Sequence, residues 1–233
     1  MSKKYKKKTL DNGLSIIAHQ MPGRQSLAIG IWINVGSRYE LGKSKGISHF
    51  LEHLVFKGTK IYSCRKIKEA IEGVGGSLNG FTSEELSCYL AKIPGRYLEL
   101  ALDVLSSMVI NPSLPSLEIE KEKQVILEEI KMYKDQPQSY VHELLDELLW
   151  PRQPLGAPII GTVESISQIK REDLKLFKQK YYTPSNIVIS AAGLLEFDKL
   201  AKNVAKFFSR QKKQNTNTFS KVKEEQDIAQ LKV

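Results

Sequence analysis

Apolar and polar positions alternate in some stretches of this chain and recur every three or four residues in others, which predicts both strands and helices. The pair Asn12-Gly13 lies between two apolar runs and predicts a β-hairpin at the start of the chain. The run from Leu27 to Val35 is almost continuously apolar. It predicts a strand covered on at least one face, and it favours cover on both. Further strands are predicted in the segments SLNGFTS, ELSCYLAKI and NIVISAA.

Seven stretches have helical periodicity. They are residues 47–57, 65–72, 97–110, 118–134, 139–150, 165–177 and 197–208. Gly58 is expected as the C-cap of the first, and Ser165 or Ser167 as the N-cap of the sixth. Hairpins and helix pairs occur in place of a regular βαβ alternation, so we predict the α+β class, with a mostly antiparallel sheet and helices packed on it.

Composition and charge limit the classes of partner. The 233 residues, 41% of them hydrophobic, are enough to build a buried core. The net charge of +9 is uneven, with lysines crowded in residues 3–8 and a second basic run in residues 210–213. Such runs are typical of solvated tails, and no aromatic residues interleave the second run as stacking on nucleic acid requires. We expect no nucleic acid partner, although a nucleic-acid binder driven by this charge remains an alternative.

The cysteines and apolar runs bear on location. Cys64 and Cys88 are far apart and form no C-x-x-C pair, so no disulfide is expected. The cationic start, MSKKYKKKTLDNG, leads into a turn signal where a secretory signal would have an apolar segment. No apolar run approaches the length of a bilayer span, so no membrane association is expected. These observations favour a cytoplasmic location.

The sequence HFLEH, residues 49–53, lies inside the first predicted helix. His49 and His53 are four residues apart and share a helix face, so both can ligate one ion, and Glu52 lies beside them. A zinc hydrolase needs protein ligands, an open position and a carboxylate base, and H-x-x-E-H supplies two ligands and the base. Two packed or hydrogen-bonded histidines are an equal alternative on the pattern alone. The chain has only four histidines, which favours the metal site.

A third ligand is required, and the segment EKEKQVILEEIK offers Glu120, Glu122, Glu128 and Glu129. Glu122 and Glu129 are seven residues apart and share a helix face, so one could ligate while the other supports the site. The alternative is a solvated acidic face balanced by neighbouring lysines. The residues alone favour that alternative.

Several segments together resemble a known family. HFLEHLVFKGT, GGSLNGFTSEELSCY, VILEEI and PLGAPIIGTVESISQIKREDLKLFKQKYYTPSNIVISAAG occur in the order found in the pitrilysin, insulin-degrading and mitochondrial processing peptidases. The chain is most similar to the N-terminal half of processing-peptidase-like bacterial members, and the resemblance covers nearly its whole length. It implies one half of a metallopeptidase clamshell and a zinc-dependent metalloendopeptidase that hydrolyses extended peptides or unfolded segments, with one Zn²⁺ per chain.

The resemblance also implies roles for individual residues. His49, His53 and Glu129, which lies 76 residues after His53, would bind zinc. Glu52 would be the general base, and Glu122, one heptad before Glu129, would support the site in catalysis.

A substrate-binding strand is implied as well. Residues 79–82 would form an exposed edge that pairs with extended peptide, and Asn79 would hydrogen-bond the peptide backbone. Gly80, Phe81 and Thr82 complete this edge. The alternative is an ordinary turn into a hairpin.

The family's second half, which supplies an Arg and a Tyr that hold the substrate, has no counterpart in this sequence. We expect residues 1–210 to form the zinc-metallopeptidase domain and residues 211–233 to be a linker and the start of a truncated second half. A homodimer or a second-half partner subunit would then complete the site around a peptide substrate. The alternative function is a non-catalytic peptide-binding or assembly subunit that needs a partner half. The intact HFLEH opposes this alternative, and the missing half favours it.

Overall fold

A computed structural model describes residues 5–214, 219–224 and 231. In this part of the chain six strands form one sheet, in the order β1-β2-β6-β3-β5-β4. The strands are β1 Lys6–Thr9, β2 Ser15–Gln20, β3 Ser26–Ile33, β4 Ser77–Thr82, β5 Ser87–Pro94 and β6 Ile187–Gly193. Among the described strands only β2 and β6 pair in parallel, and the other four pairs are antiparallel. The predicted α+β class with a mostly antiparallel sheet is confirmed.

Eight α-helices are described with the sheet. They are α1 Ile47–Val55, α2 Cys64–Glu72, α3 Leu98–Ile110, α4 Ser116–Lys134, α5 Pro137–Leu149, α6 Val163–Gln168, α7 Arg171–Tyr181 and α8 Phe197–Phe207. None of them combines the length and apolar character of a bilayer-crossing segment. Most lie within two residues of their predicted bounds.

The prediction of one helix over residues 165–177 is wrong, because α6 and α7 are separate. Ile169 and Lys170 have extended backbone (ψ of 127° and 164°), which breaks the helix. The Asp173 carboxylate accepts the Lys170 N–H at 2.8 Å and starts the second helix. The N-cap of α6 is Thr162, which accepts the Ser165 N–H at 3.2 Å, and not Ser165 or Ser167 as expected.

The two faces of the sheet differ in cover. On β3, Leu27, Ile29, Ile31 and Ile33 are buried beneath the helices. The alternate residues face the other way, where Ala28 is exposed and Trp32 half-buried. The described residues leave this outer face partly open, so the expected cover on both faces of β3 is wrong.

Helix α1 is held firmly between the sheet edge and α4. Six of its nine residues are buried. The buried Glu40 carboxylate accepts the N–H groups of Gly46 at 2.6 Å and Ser48 at 2.8 Å, which satisfies donors at the helix start. Gly46 has a φ of +84°, and a Cβ there would lie 2.5 Å from the Ile160 carbonyl oxygen. Only glycine fits this approach between the helix start and the 154–162 loop.

The described residues near the two ends of the chain do not form simple solvated tails. Residues 6–8 are exposed lysines of edge strand β1. Of the predicted linker and truncated second half, residues 215–218, 225–230 and 232–233 lie outside the described part. The described segment 219–224 runs back over the domain: the Phe219 ring packs edge-on against Tyr39 at 5.3 Å, and the Lys223 N–H donates to Gln153 Oε1 at 2.8 Å.

Candidate metal centre

Helices α1 and α4 bring two histidines and one glutamate together. His49, His53 and Glu129 each offer one ligand atom, and these three atoms lie within 4.8 Å of one another. Glu129 Oε2 is 3.9 Å from His49 Nε2 and 3.7 Å from His53 Nε2. His49 and His53 lie four residues apart on α1, and Glu129 lies on the side of α4 that faces them. Two rigid helices therefore fix the triangle.

The chemistry of this triangle fits a zinc ion. Glu129 Oε2 is buried and accepts no hydrogen bond from a described residue, although both imidazole Nε2 atoms face it. An unsatisfied buried oxygen is costly, and a cation between the three atoms would satisfy it. Two imidazoles and one carboxylate, with further positions open, form the ligand set of catalytic zinc sites.

Glu122 orients His53 from the same face of α4. Its Oε2 lies 3.1 Å from His53 Nδ1, and its Oε1 lies 2.6 Å from Lys57 Nζ. Since a carboxylate only accepts, the proton is on Nδ1, and Nε2 is left free to face Glu129. The two other candidate glutamates instead form exposed pairs, Glu120 with Lys123 and Glu128 with Lys131.

Glu52 lies beside the triangle and against strand β4. Thr82 Oγ1 donates to Glu52 Oε2 at 3.3 Å. Gly80 permits this contact, because a Cβ there would lie 3.0 Å from Glu52 Oε1 and from the Phe56 ring. Burial raises the pKa of Glu52, against the lowering effect of His53 and the Thr82 hydroxyl. The carboxyl group is therefore a stronger base than an exposed one.

Burial also sets the charge of the ligand residues. It is the main cause, with His53 second, that lowers the pKa of His49 to about 3. His49 is thus a neutral imidazole with a free lone pair near pH 7. Burial raises the pKa of Glu129, against the lowering effect of His53.

The predicted substrate edge is the outermost strand of the sheet, but its residues divide between two faces. Gly80 and Thr82 face α1 and Glu52. Phe81 lies on the other face, with its ring 5.8 Å from Trp32, and Asn79 shares that face by alternation. The Asn79 side-chain oxygen accepts the Gly80 N–H at 2.8 Å.

A cleft of about 450 Å³ opens over the triangle. Its far wall is formed by α5 and the 155–160 loop and carries Glu143 and Asp146. Glu84, in the turn between β4 and β5, lines the cleft beside them and completes an acidic wall of three carboxyl groups. Burial raises the pKa of Glu143, and burial followed by Glu84 raises that of Asp146. This acidic wall was not predicted from the sequence. Its only local signal is the spacing of Glu143 and Asp146, three residues apart on one helix face.

Sequence comparison identifies two family models along the chain. Residues 15–163 match the model described as insulinase (peptidase family M16), and residues 168–232 match that of the peptidase M16 inactive domain. The uncharacterized zinc protease YmxG of Bacillus subtilis is 43% identical over 203 residues, which cover 87% of this chain and 49% of that protein. An uncharacterized zinc protease of Rickettsia felis is 36% identical over 210 residues, covering 90% of this chain and 51% of that protein.

Solved structures share the fold. A protease from Helicobacter pylori has a TM-score of 0.87 at 25% identity, with 95% of this chain and 54% of that chain covered. A peptidase M16 inactive domain from Pseudomonas fluorescens has a TM-score of 0.85 at 18% identity, with 94% and 53% covered, and its likeness shows the fold alone. This chain therefore spans about half the length of the relatives it matches.

Proposed function

The chain belongs to peptidase family M16, and from that premise we propose that its first 210 residues form the zinc-binding half of a metalloendopeptidase for extended peptides or unfolded segments. The observation that carries the proposal is the buried, unsatisfied Glu129 oxygen between two imidazole nitrogens, with a carboxyl base beside it. In this proposal His49, His53 and Glu129 hold zinc, and Glu122 keeps His53 in the ligating tautomer.

Zinc, when bound, supplies a Lewis acid that polarises the scissile carbonyl and lowers the pKa of water. Glu52 takes the proton from the attacking water and passes it to the leaving amine. Its raised pKa suits both steps, because the carboxyl group accepts a proton readily and then donates it. The Thr82 hydroxyl and the absence of a side chain at Gly80 fix the carboxylate against β4.

Substrate binding in this proposal uses the edge of β4, residues 79–82, which pairs with an extended peptide backbone. The acidic wall of the cleft adds a preference: Glu84, Glu143 and Asp146 favour peptides with lysine or arginine near the scissile bond. Cys64 and Cys88 are unpaired thiols, which suits the expected cytoplasmic location.

The second candidate function is a non-catalytic peptide-binding or assembly subunit that needs a partner half. A peptidase M16 inactive domain with the same fold is its precedent. In the peptidase proposal, a homodimer or a second-half subunit completes the substrate site.

Two measurements on the purified chain test the proposal. Zinc analysis after refolding with zinc is expected to give about one ion per chain, and less than about 0.1 would contradict the metal site. A quenched-peptide assay, with and without chelator, is run on the chain alone and on the chain with the second half of a relative added. Chelator-sensitive hydrolysis in either sample supports the peptidase, and zinc binding without hydrolysis in both supports the non-catalytic subunit.

A further inference from the structure

A second cleft, of about 530 Å³, lies between the end of α3 and one side of α7. Four cationic residues line it: Lys60, Arg171, Lys175 and Lys178. No Asp or Glu is among the described residues of its lining. This is the reverse of the metal cleft, whose described lining carries five carboxyl groups and no Lys or Arg.

The two inner cations have a structural role that leaves most of their hydrogen-bond donors free. Lys178 Nζ donates to the Ile110 carbonyl at 2.7 Å, and Arg171 donates to the carbonyls of Leu114 at 2.7 Å and Ser113 at 3.3 Å. These bonds satisfy carbonyl groups at and beyond the end of α3. An ammonium group has three N–H donors and a guanidinium has five. Neither side chain forms an ion pair with a described residue, so their positive charge is uncompensated.

Three further features of the cleft favour a bound ligand. Burial, with Lys60 second, lowers the pKa of Lys178 to about 8, as expected for an ammonium group without a counter-charge. Thr183 is 3% exposed and lines the cleft, yet its hydroxyl has no hydrogen-bond partner among the described residues. Leu114, also in the lining, has a φ of +45°, a strained conformation of the kind that collects at ligand sites.

We propose that this cleft binds a small oligophosphate anion, either inorganic or the phosphate chain of a nucleotide. Arg171 offers the planar donor fork that suits phosphate oxygens, and Lys178 adds a point charge beside it. Lys60 and Lys175 are exposed at the rim and bring the total to four cations, which matches the charge of a di- or triphosphate better than that of one phosphate. The cleft is also larger than a single phosphate requires.

Calorimetric titration of the zinc-loaded chain with pyrophosphate and with ATP at low ionic strength tests the proposal. The test variant is Lys60→Ala/Lys175→Ala, because both side chains are exposed and neither forms an ion pair with a described residue that folding could need. The matched control is Lys199→Ala/Lys202→Ala on α8, which removes the same charge outside the cleft. We expect the test variant to bind pyrophosphate at least about tenfold more weakly and the control to change by less than about twofold.

Removal of zinc by phosphate would affect all three proteins alike and so cannot imitate this difference. Thr183→Val is a second probe, expected to weaken binding about threefold through loss of one hydroxyl. Equal affinities for pyrophosphate and ATP assign the site to the phosphate chain alone, and tighter ATP binding assigns it to a nucleotide; both support the proposal. The proposal would be overturned if no saturable binding were measured. It would also be overturned if the test and control variants lost affinity equally, because that result would show only attraction to the net charge. The result is independent of peptidase activity.

Discussion

Helices α1 and α5 face each other across the metal cleft and are built in opposite ways. Six of the nine residues of α1 are buried, whereas none of the thirteen residues of α5 is. Glu40 satisfies N–H groups at the start of α1, while the N-cap of α5, Gln136, makes no side-chain capping bond. Along α5, Val141 and Leu145 are 53% and 50% exposed.

The difference in packing separates the proposed reacting groups, on the α1 wall, from the proposed substrate contacts, on the α5 wall. Reacting groups must be held to within a fraction of an ångström, so the α1 wall is fixed by packing, capping and the Glu122 contact. In the proposed function the α5 wall contacts substrate side chains, which vary in size, and its sparse packing would let it adjust. We therefore expect substitutions on α1 to affect rate, folding and metal binding, and those on α5 to affect mainly the choice of substrate.

The largest effect is expected for Glu52→Gln, which keeps the shape of the side chain and removes the base. Peptide hydrolysis by the chain supplemented with the second half of a relative should fall by about 10³-fold. The matched change on the α5 wall, Glu143→Gln, should alter hydrolysis of an uncharged peptide by less than about threefold. Similar losses in the two variants would contradict the division between the walls.

Folding stability gives the next largest contrast. Leu54→Ala on α1 removes a side chain that is fully buried, and it should lower the free energy of unfolding by about 3 kcal/mol. Leu145→Ala on α5 removes a half-exposed side chain and should cost less than about 1 kcal/mol. Urea unfolding of the chelator-treated chain measures both. A larger loss for Leu145→Ala would show that α5 carries more of the fold than its burial indicates.

Zinc affinity tests the support from α4. Glu122→Gln leaves His53 without its carboxylate partner and should weaken zinc binding by about 10- to 100-fold. Glu120→Gln is the control, because that carboxylate lies on the exposed side of the same helix and pairs with Lys123. Competition with a chromophoric chelator gives both affinities, and circular dichroism checks folding. Equal zinc affinities in the two variants would show that Glu122 does not support the metal site.

The smallest effect concerns pH and the start of α1. Burial raises the pKa of Glu40 from 4.5 to about 7, against opposing hydrogen bonds from Ser48 and Gly46 and the charge of Lys45. The folded chain therefore holds this proton more tightly than the unfolded chain, and the associated stability is lost as pH rises through 7. Between pH 6 and 7 the loss from this one group is about 1 kcal/mol.

The variant Glu40→Gln should flatten the stability curve of the metal-free chain by that amount over the same interval. Urea unfolding at each pH measures it. An unchanged slope would show that Glu40 does not titrate in this range.

Local patterns predicted most of the elements, because each depends on neighbours in the sequence. They failed at residues 165–177, where the periodicity continues across Ile169 although the Asp173 cap starts a new helix. They also failed for the outer face of β3, since an apolar strand does not reveal what covers it. Cover depends on elements distant in the chain.

Local patterns likewise predicted only part of the site. His49, Glu52 and His53 lie within five residues, so helix geometry alone placed them together. The choice of Glu129 over Glu122 as the ligand came only from the family resemblance, because both residues lie on one helix face and either could bind the metal. The acidic wall and the oligophosphate cleft escaped prediction altogether, since each is assembled from segments far apart in the sequence.

The bond between the Asn79 oxygen and the Gly80 N–H has a consequence for hydrogen exchange. Exposed sheet edges invite pairing with other chains and aggregate, but this edge satisfies one of its own donors. The Gly80 amide should therefore exchange with deuterium more slowly than its position on an outer strand suggests. A peptide that pairs there must first displace the Asn79 side chain, so only partners that replace this bond and add others would remain bound.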